Sequence, residues 1–128
     1  MEWIKIETAE NRTFLPGERV PGTVSWELAE DPASVELRLF WYTAGKGDQD
    51  IGVVETVPFD GPGARDRRTF EVRLPWEPYS FSGTLISLIW ALEAVVEPGA
   101  RAERLLLIVS PSGSEILLSA APQPVATR

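Results

Sequence analysis

The chain has 128 residues, 44% hydrophobic and 24% charged, which is room for one globular domain around one core. Twelve Lys and Arg against nineteen Asp and Glu leave a formal net charge of -7, so Coulomb repulsion excludes nucleic acid and anionic membrane surfaces as natural partners. The chain has no Cys and no His, which removes disulfides, thiol nucleophiles, thiolate and imidazole metal ligands and the usual general base near neutral pH.

Turn signals divide the chain at Pro16-Gly17, Glu30-Asp31-Pro32, Gly45 to Asp48, Asp60-Gly61-Pro62-Gly63, Pro75 to Pro78, Pro98-Gly99 and Pro111 to Gly113. The pieces between them are strand-sized. Trp3 to Glu7 turns Ile4 and Ile6 inward and sets Trp3 in phase with Lys5 and Glu7. Val20, Gly22, Val24 and Trp26 alternate with Arg19, Thr23, Ser25 and Glu27. From Ser34 to Tyr42, Val35, Leu37, Leu39 and Trp41 oppose Glu36 and Arg38, the period-two pattern of a half-buried strand. Ile51 to Val57 alternates less cleanly, and Phe70, Val72 and Leu74 oppose Thr69, Glu71 and Arg73. In Thr84 to Glu97 propensity alone leaves helix and strand open. A strand is the better reading, with Ile86, Leu88, Trp90, Leu92, Ala94 and Val96 on one face. Arg104 to Val109 and Glu115 to Leu118 complete about eight strands.

This pattern predicts an all-β fold, an immunoglobulin-like antiparallel β-sandwich over residues 1–119 with a mobile tail over residues 120–128. The start, MEWIKIE, lacks the basic region and apolar run of a secretory signal, which points to the cytoplasm. The longest apolar stretch, Leu85 to Val96, is interrupted by Ser87 and Glu93 and falls short of the ~20 residues of a membrane span. No membrane insertion is expected.

Two segments carry a family resemblance. FLPGERVPGTVSW, from Phe14 to Trp26, resembles the early strands of arrestin-fold domains, where a Pro-Gly turn leads into a Val-x-Gly-x-Val strand. LPWEPYSFSGTLISLIWALEA, from Leu74 to Ala94, is similar to the superfamily's later hallmark: a Leu-Pro bend, a Pro-x-Ser loop and a Gly before a long strand. Short bacterial arrestin-like proteins are the nearest picture. The resemblance implies a noncatalytic module that binds protein, with no cofactor, and this chain has room for one such domain.

A Ser-His-Asp triad is impossible, and a Ser-Lys pair would have to draw on Lys5 or Lys46, neither near a sharp nucleophile turn. Ser80 and Ser82 read as turn residues, and Asp60 to Gly63 as a hairpin connection. Asp48 and Asp50 offer oxygen ligands to a hard cation, but two acids in a loop read more simply as a solvated turn. Arg65, Arg67 and Arg68 form a basic knot that an acidic or phosphorylated partner could use; the simpler reading is a solvated loop beside Asp66. Trp26, Trp41 and Trp90 fall in phase with core residues, leaving Trp3 and Trp76 as the exposed rings. Either could contact a protein partner or, in the alternative reading, stack on a carbohydrate or small ligand. Leu105, Leu107 and Val109 alternate with Leu106 and Ile108, so this segment is apolar on both faces. One set enters the core; the other, with Leu105 and Leu107 as candidates, lies beneath the tail through Val125 or against a second copy in a homodimer.

Overall fold

The computed structural model of the chain describes residues 2–8, 13–45, 49–82, 86–111 and 116–117. Period-two alternation becomes strand where one face of a segment has a core to enter, and the described residues form ten strands. They are β1 (Trp3–Glu7), β2 (Thr13–Phe14), β3 (Arg19–Glu27), β4 (Ser34–Gly45), β5 (Ile51–Phe59), β6 (Arg65–Arg73), β7 (Phe81–Ser82), β8 (Ile86–Glu97), β9 (Arg101–Val109) and β10 (Ile116–Leu117). The ambiguous segment around Trp90 is strand. No helix occurs among the described residues, so none is long and apolar enough to cross a membrane.

Two sheets enclose the core. The smaller has the order β1-β3-β6 and is antiparallel throughout. The larger runs β10-β7-β8-β4-β5, with β9 on the same edge of β8 as β7, and β2 beyond β9. Its long ladders are antiparallel, but the two-residue bridges β2 to β9 and β7 to β10 are parallel, a departure from the purely antiparallel expectation. Both bridges join segments that run back along the sandwich after a long connection, which a sequence reading of local turns does not reveal.

The inner faces meet through Val20, Val24 and Trp26 on β3, Phe70 and Val72 on β6, and Leu37, Leu39, Trp90, Leu92 and Leu107 opposite them. Two fully buried tryptophans lead this core, and each keeps its indole N–H satisfied. Trp26 donates to the Gly63 carbonyl at 2.7 Å and Trp90 to the Pro78 carbonyl at 2.9 Å, tying two connections to the core. Trp41 is only half-buried, with its ring laid over Gly52 on the neighbouring strand. Gly22 faces the core where a Cβ would overlap both the Glu7 carbonyl and the Phe70 ring, so the absence of a side chain lets Phe70 pack against β3.

Three local expectations are corrected. Asp60 to Gly63 is not a hairpin, because β5 belongs to the larger sheet and β6 to the smaller; the segment carries the chain between them. The Arg65 to Arg68 knot is not a solvated loop but the first turnless stretch of β6, paired with β3 from Arg65 onward. Ser80 is buried: its N–H donates to the Val109 carbonyl at 2.7 Å and its Oγ accepts the Val109 N–H at 2.9 Å.

Candidate functional site

On the outer face of the smaller sheet the register places Trp3, Glu27 and Arg65 in one row and Lys5, Ser25 and Arg67 in the next. At its middle the central strand shows short side chains, Thr23 and Ser25, while Lys5, Glu7 and Arg67 beside them are long. The outer strands therefore form walls, about 10 Å apart at the usual strand spacing, around a low floor. An open hollow of about 820 Å³ lies between Trp3 and Lys5 on one side and Arg65 and Arg67 on the other. A second, of about 450 Å³, extends it along Thr23 and Thr69, with Arg67 bordering both. Together they make a trough parallel to the strands.

The charge of this face opposes that of the chain. Its outward side chains include five cations, Lys5, Arg19, Arg65, Arg67 and Arg73, against three carboxylates, Glu7, Glu27 and Glu71. Lys5 pairs with Glu7 at 3.4 Å, Arg65 with Glu27 at 3.0 Å and Arg19 with Glu71 at 3.3 Å. The guanidinium groups of Arg67 and Arg73 have no carboxylate partner among the described residues; Arg73 donates through Nε to the Gly17 carbonyl.

The structure thus brings together Trp3, Arg65 and Arg67, which are remote in sequence. It separates them from the other candidates. Arg68 has the opposite parity on β6 and donates through Nη2 to Asp66 Oδ2 at 2.9 Å and to the Gly61 carbonyl at 3.2 Å. Asp66 also accepts the N–H groups of Gly63 and Arg67, and its carboxyl is held down at about 2, first by the Arg68 hydrogen bond and then by those two amides. This cluster braces the crossing between sheets, so Arg68 is committed to the fold. Trp76 is 71% exposed at one end of the sandwich, its ring lying over Gly17, where positive φ and the ring itself leave no space for a side chain.

The apolar segment β9 also sorts by parity. Leu107 is 3% exposed and lies in the core, and Leu105 is half-buried against it, which takes Leu107 out of any partner surface. Leu106, at 48% exposure, is the leucine that faces outward, opposite Ala91 of β8. On the same outer face Arg104 lies 5.0 Å from the Phe40 ring centre and 5.1 Å from that of Tyr42, held by Glu93 at 3.0 Å. Asp48 lies outside the described residues. Asp50 closes the β4 to β5 connection through its backbone, accepting from Thr43 N–H and donating to Thr43 Oγ1.

Sequence reasoning did not single out Ser25 or Glu27, and it weighed Lys5 only as half of a Ser-Lys pair. The phase shared by Trp3 and Lys5 was the available signal, and the pairing of β1 with β3 was the missing one.

Two sheets in this order form an all-β sandwich consistent with the arrestin-like fold. The solved structure of Spo0M, a sporulation control protein from Bacillus subtilis, is similar to it: a TM-score of 0.61 at 19% identity over 84% of this chain. The match covers 49% of that protein, so the chain spans about half the length of Spo0M. A second structure, the structural-genomics target SoR45, aligns over 100% of this chain and 96% of its own at 15% identity, but its TM-score of 0.24 carries no argument. No family model matches the chain, and no curated protein matches it.

Proposed function

We propose that the chain is a noncatalytic protein-binding module whose docking surface is the trough on the smaller sheet, and that an acidic segment of another protein is its occupant. The observation that carries this reading is the surplus positive charge on one face of an acidic chain, with Arg67 in the same hollow as the exposed ring of Trp3 and Arg73 farther along the same strand. Arg and Trp are the side chains that dominate binding energy at protein interfaces, and a guanidinium matches a carboxylate with two parallel hydrogen bonds. A catalytic reading lacks its parts. Lys5 stands across from Ser25, but its side chain is 62% exposed and its ammonium is paired with Glu7 at 3.4 Å.

Calorimetric titration with octaglutamate tests the reading. Saturable binding is expected at ~20 mM salt, weakening toward ~200 mM as screening shortens the reach of the charges. Arg67→Glu should weaken it by about tenfold or more. No saturable binding at low salt would overturn the proposal. A second reading, sugar stacking on Trp76, is favoured by that ring's exposure and its fixed seat over Gly17. A neutral oligosaccharide that changes tryptophan fluorescence equally in wild type and in Arg67→Glu, but not in Trp76→Ala, would put it first.

A further inference from the structure

β6 is the last strand of its sheet, and among the described residues one side of its backbone is unpaired. Two hydrogen bonds at the ends of its ladder with β3 determine which groups that side presents. Leu74 N–H donates to the Glu18 carbonyl at 2.9 Å, and Leu28 N–H donates to the Ala64 carbonyl at 2.7 Å. Between these ends the register runs without a shift from Arg19 opposite Arg73 to Glu27 opposite Arg65. An antiparallel ladder alternates bonded and non-bonded pairs, so the bonded positions on β6 are Asp66, Arg68, Phe70 and Val72. The backbone groups of Arg65, Arg67, Thr69, Glu71 and Arg73 therefore point off the sheet. Of those five residues, Arg65, Arg67 and Thr69 also line the trough wall, and Glu71 and Arg73 continue the same face of the strand beyond it.

The Arg67 N–H supports this parity independently. It is not used by β3 but donates to Asp66 Oδ1 at 2.8 Å, so a carboxylate already sits where a further strand would offer an acceptor. The rest of the edge is open: β6 contains no Pro and no bulge. Its neighbour β5, by contrast, carries Pro58 and a register shift.

We infer that β6 accepts an extended acidic segment of a partner protein as a fourth strand of the smaller sheet, bonded to the backbone of Thr69 and Glu71, with carboxylates set against Arg67 and Arg73. This inference rests on the docking reading above and adds the mode of binding. Main-chain bonds supply affinity, and alternate side chains supply selectivity. Charge decides among occupants. Two β6 strands side by side would bring together eight Arg and four carboxylates, so a second copy is a poor fit. Residues 118–128 contain no Asp or Glu and two Pro, which makes the chain's own end a poor fit as well.

The test uses a capped peptide in which Glu alternates with Thr, together with two versions N-methylated on one or the other alternate set of residues. Thr69→Pro removes an N–H that β3 does not use, at an edge where Pro is tolerated, so the variant should melt near the wild-type temperature. Expected results are saturable binding by wild type, roughly tenfold weaker binding by Thr69→Pro, and loss of binding by only one of the methylated peptides. The amides of Thr69 and Glu71 should also exchange more slowly in the complex. Equal binding by wild type, folded Thr69→Pro and both methylated peptides would overturn strand addition while leaving the trough as the docking surface. No binding of any peptide by wild type would overturn the docking reading itself. Slow exchange at Thr69 without peptide, together with a doubled mass in solution, would assign the edge to a second copy and overturn the inference. Should Thr69→Pro fail to fold, the methylated peptides and amide exchange decide alone.

Discussion

β5 and β6 are consecutive strands of nine residues each, and each is the last strand of its sheet, yet they meet solvent in opposite ways. β5 exposes Ile51, Val53 and Val54 and buries only parts of Val57 and Phe59. Its pairing with β4 skips Val54, Glu55 lies within it and Pro58 lacks an N–H, all devices that blunt an edge against another strand. β6 anchors Phe70 and Val72 in the core and keeps its register unbroken. An apolar edge needs an irregular backbone to stay free of its copies. A cationic edge can remain regular, because like charges deter copies while leaving the backbone accessible to an acidic chain.

The largest expected effect tests the difference in anchoring. Phe70→Ala on β6 should cost about 3 to 5 kcal/mol in urea unfolding, since lost burial and the residual cavity add. Val53→Thr on β5, at an exposed position, should stay within about 0.5 kcal/mol. Equal losses would erase the distinction. Next, Gly22→Ala should destabilise by about 1 to 3 kcal/mol, because the added methyl meets the Glu7 carbonyl and the Phe70 ring. Unchanged stability there would mean that Phe70 does not pack against β3.

A smaller change concerns solubility. Replacing Glu55 with Thr and Pro58 with Val together should raise the weight-average mass in light scattering as concentration increases, relative to wild type. Arg67→Thr should leave the mass unaltered; a rise there instead would mean that charge on β6, and not irregularity on β5, keeps copies apart.

The smallest effect is the pH dependence at the crossing between the two strands. The Arg68 hydrogen bond holds the Asp66 carboxyl at about 2, below its ordinary 3.8. A depressed carboxyl stabilises the fold fully above the unfolded value and loses that contribution as pH falls through the folded one. The wild-type melting temperature should thus fall between about pH 4 and pH 2, and Asp66→Asn should begin lower at pH 7 and fall less steeply. The pair is partly exposed, so the difference should amount to about 1 kcal/mol or less. Parallel curves would remove Asp66 from the account.

Much of the fold was legible because burial on one face imposes a two-residue period. Val35, Leu37 and Leu39 announce their strand, and Val20, Val24 and Trp26 theirs. The segment around Trp90 resisted only because it is nearly apolar on both sides: Ala91 and Val95 are buried on the face opposite the core. Leu106 and Leu107 could not be sorted for the same reason. The early part of β6 was misread as loop because Arg65 to Arg68 lacks apolar alternation. Its strand geometry comes from pairing with β3, whose residues lie some forty positions earlier.

By itself, the sequence determined the strand class, the inward phase of most strands, the absence of imidazole and thiol chemistry and the net charge of -7, because these depend on composition and nearest neighbours. Only the tertiary structure decided that Asp60 to Gly63 crosses between sheets, that Trp3 and Lys5 stand across the trough from Arg65 and Arg67, and that β6 keeps one side of its backbone open among the described residues. Those are matters of which strand lies beside which. The side-chain period is the same whichever neighbour a strand takes, so local pattern leaves the choice of neighbour to the packing of the whole.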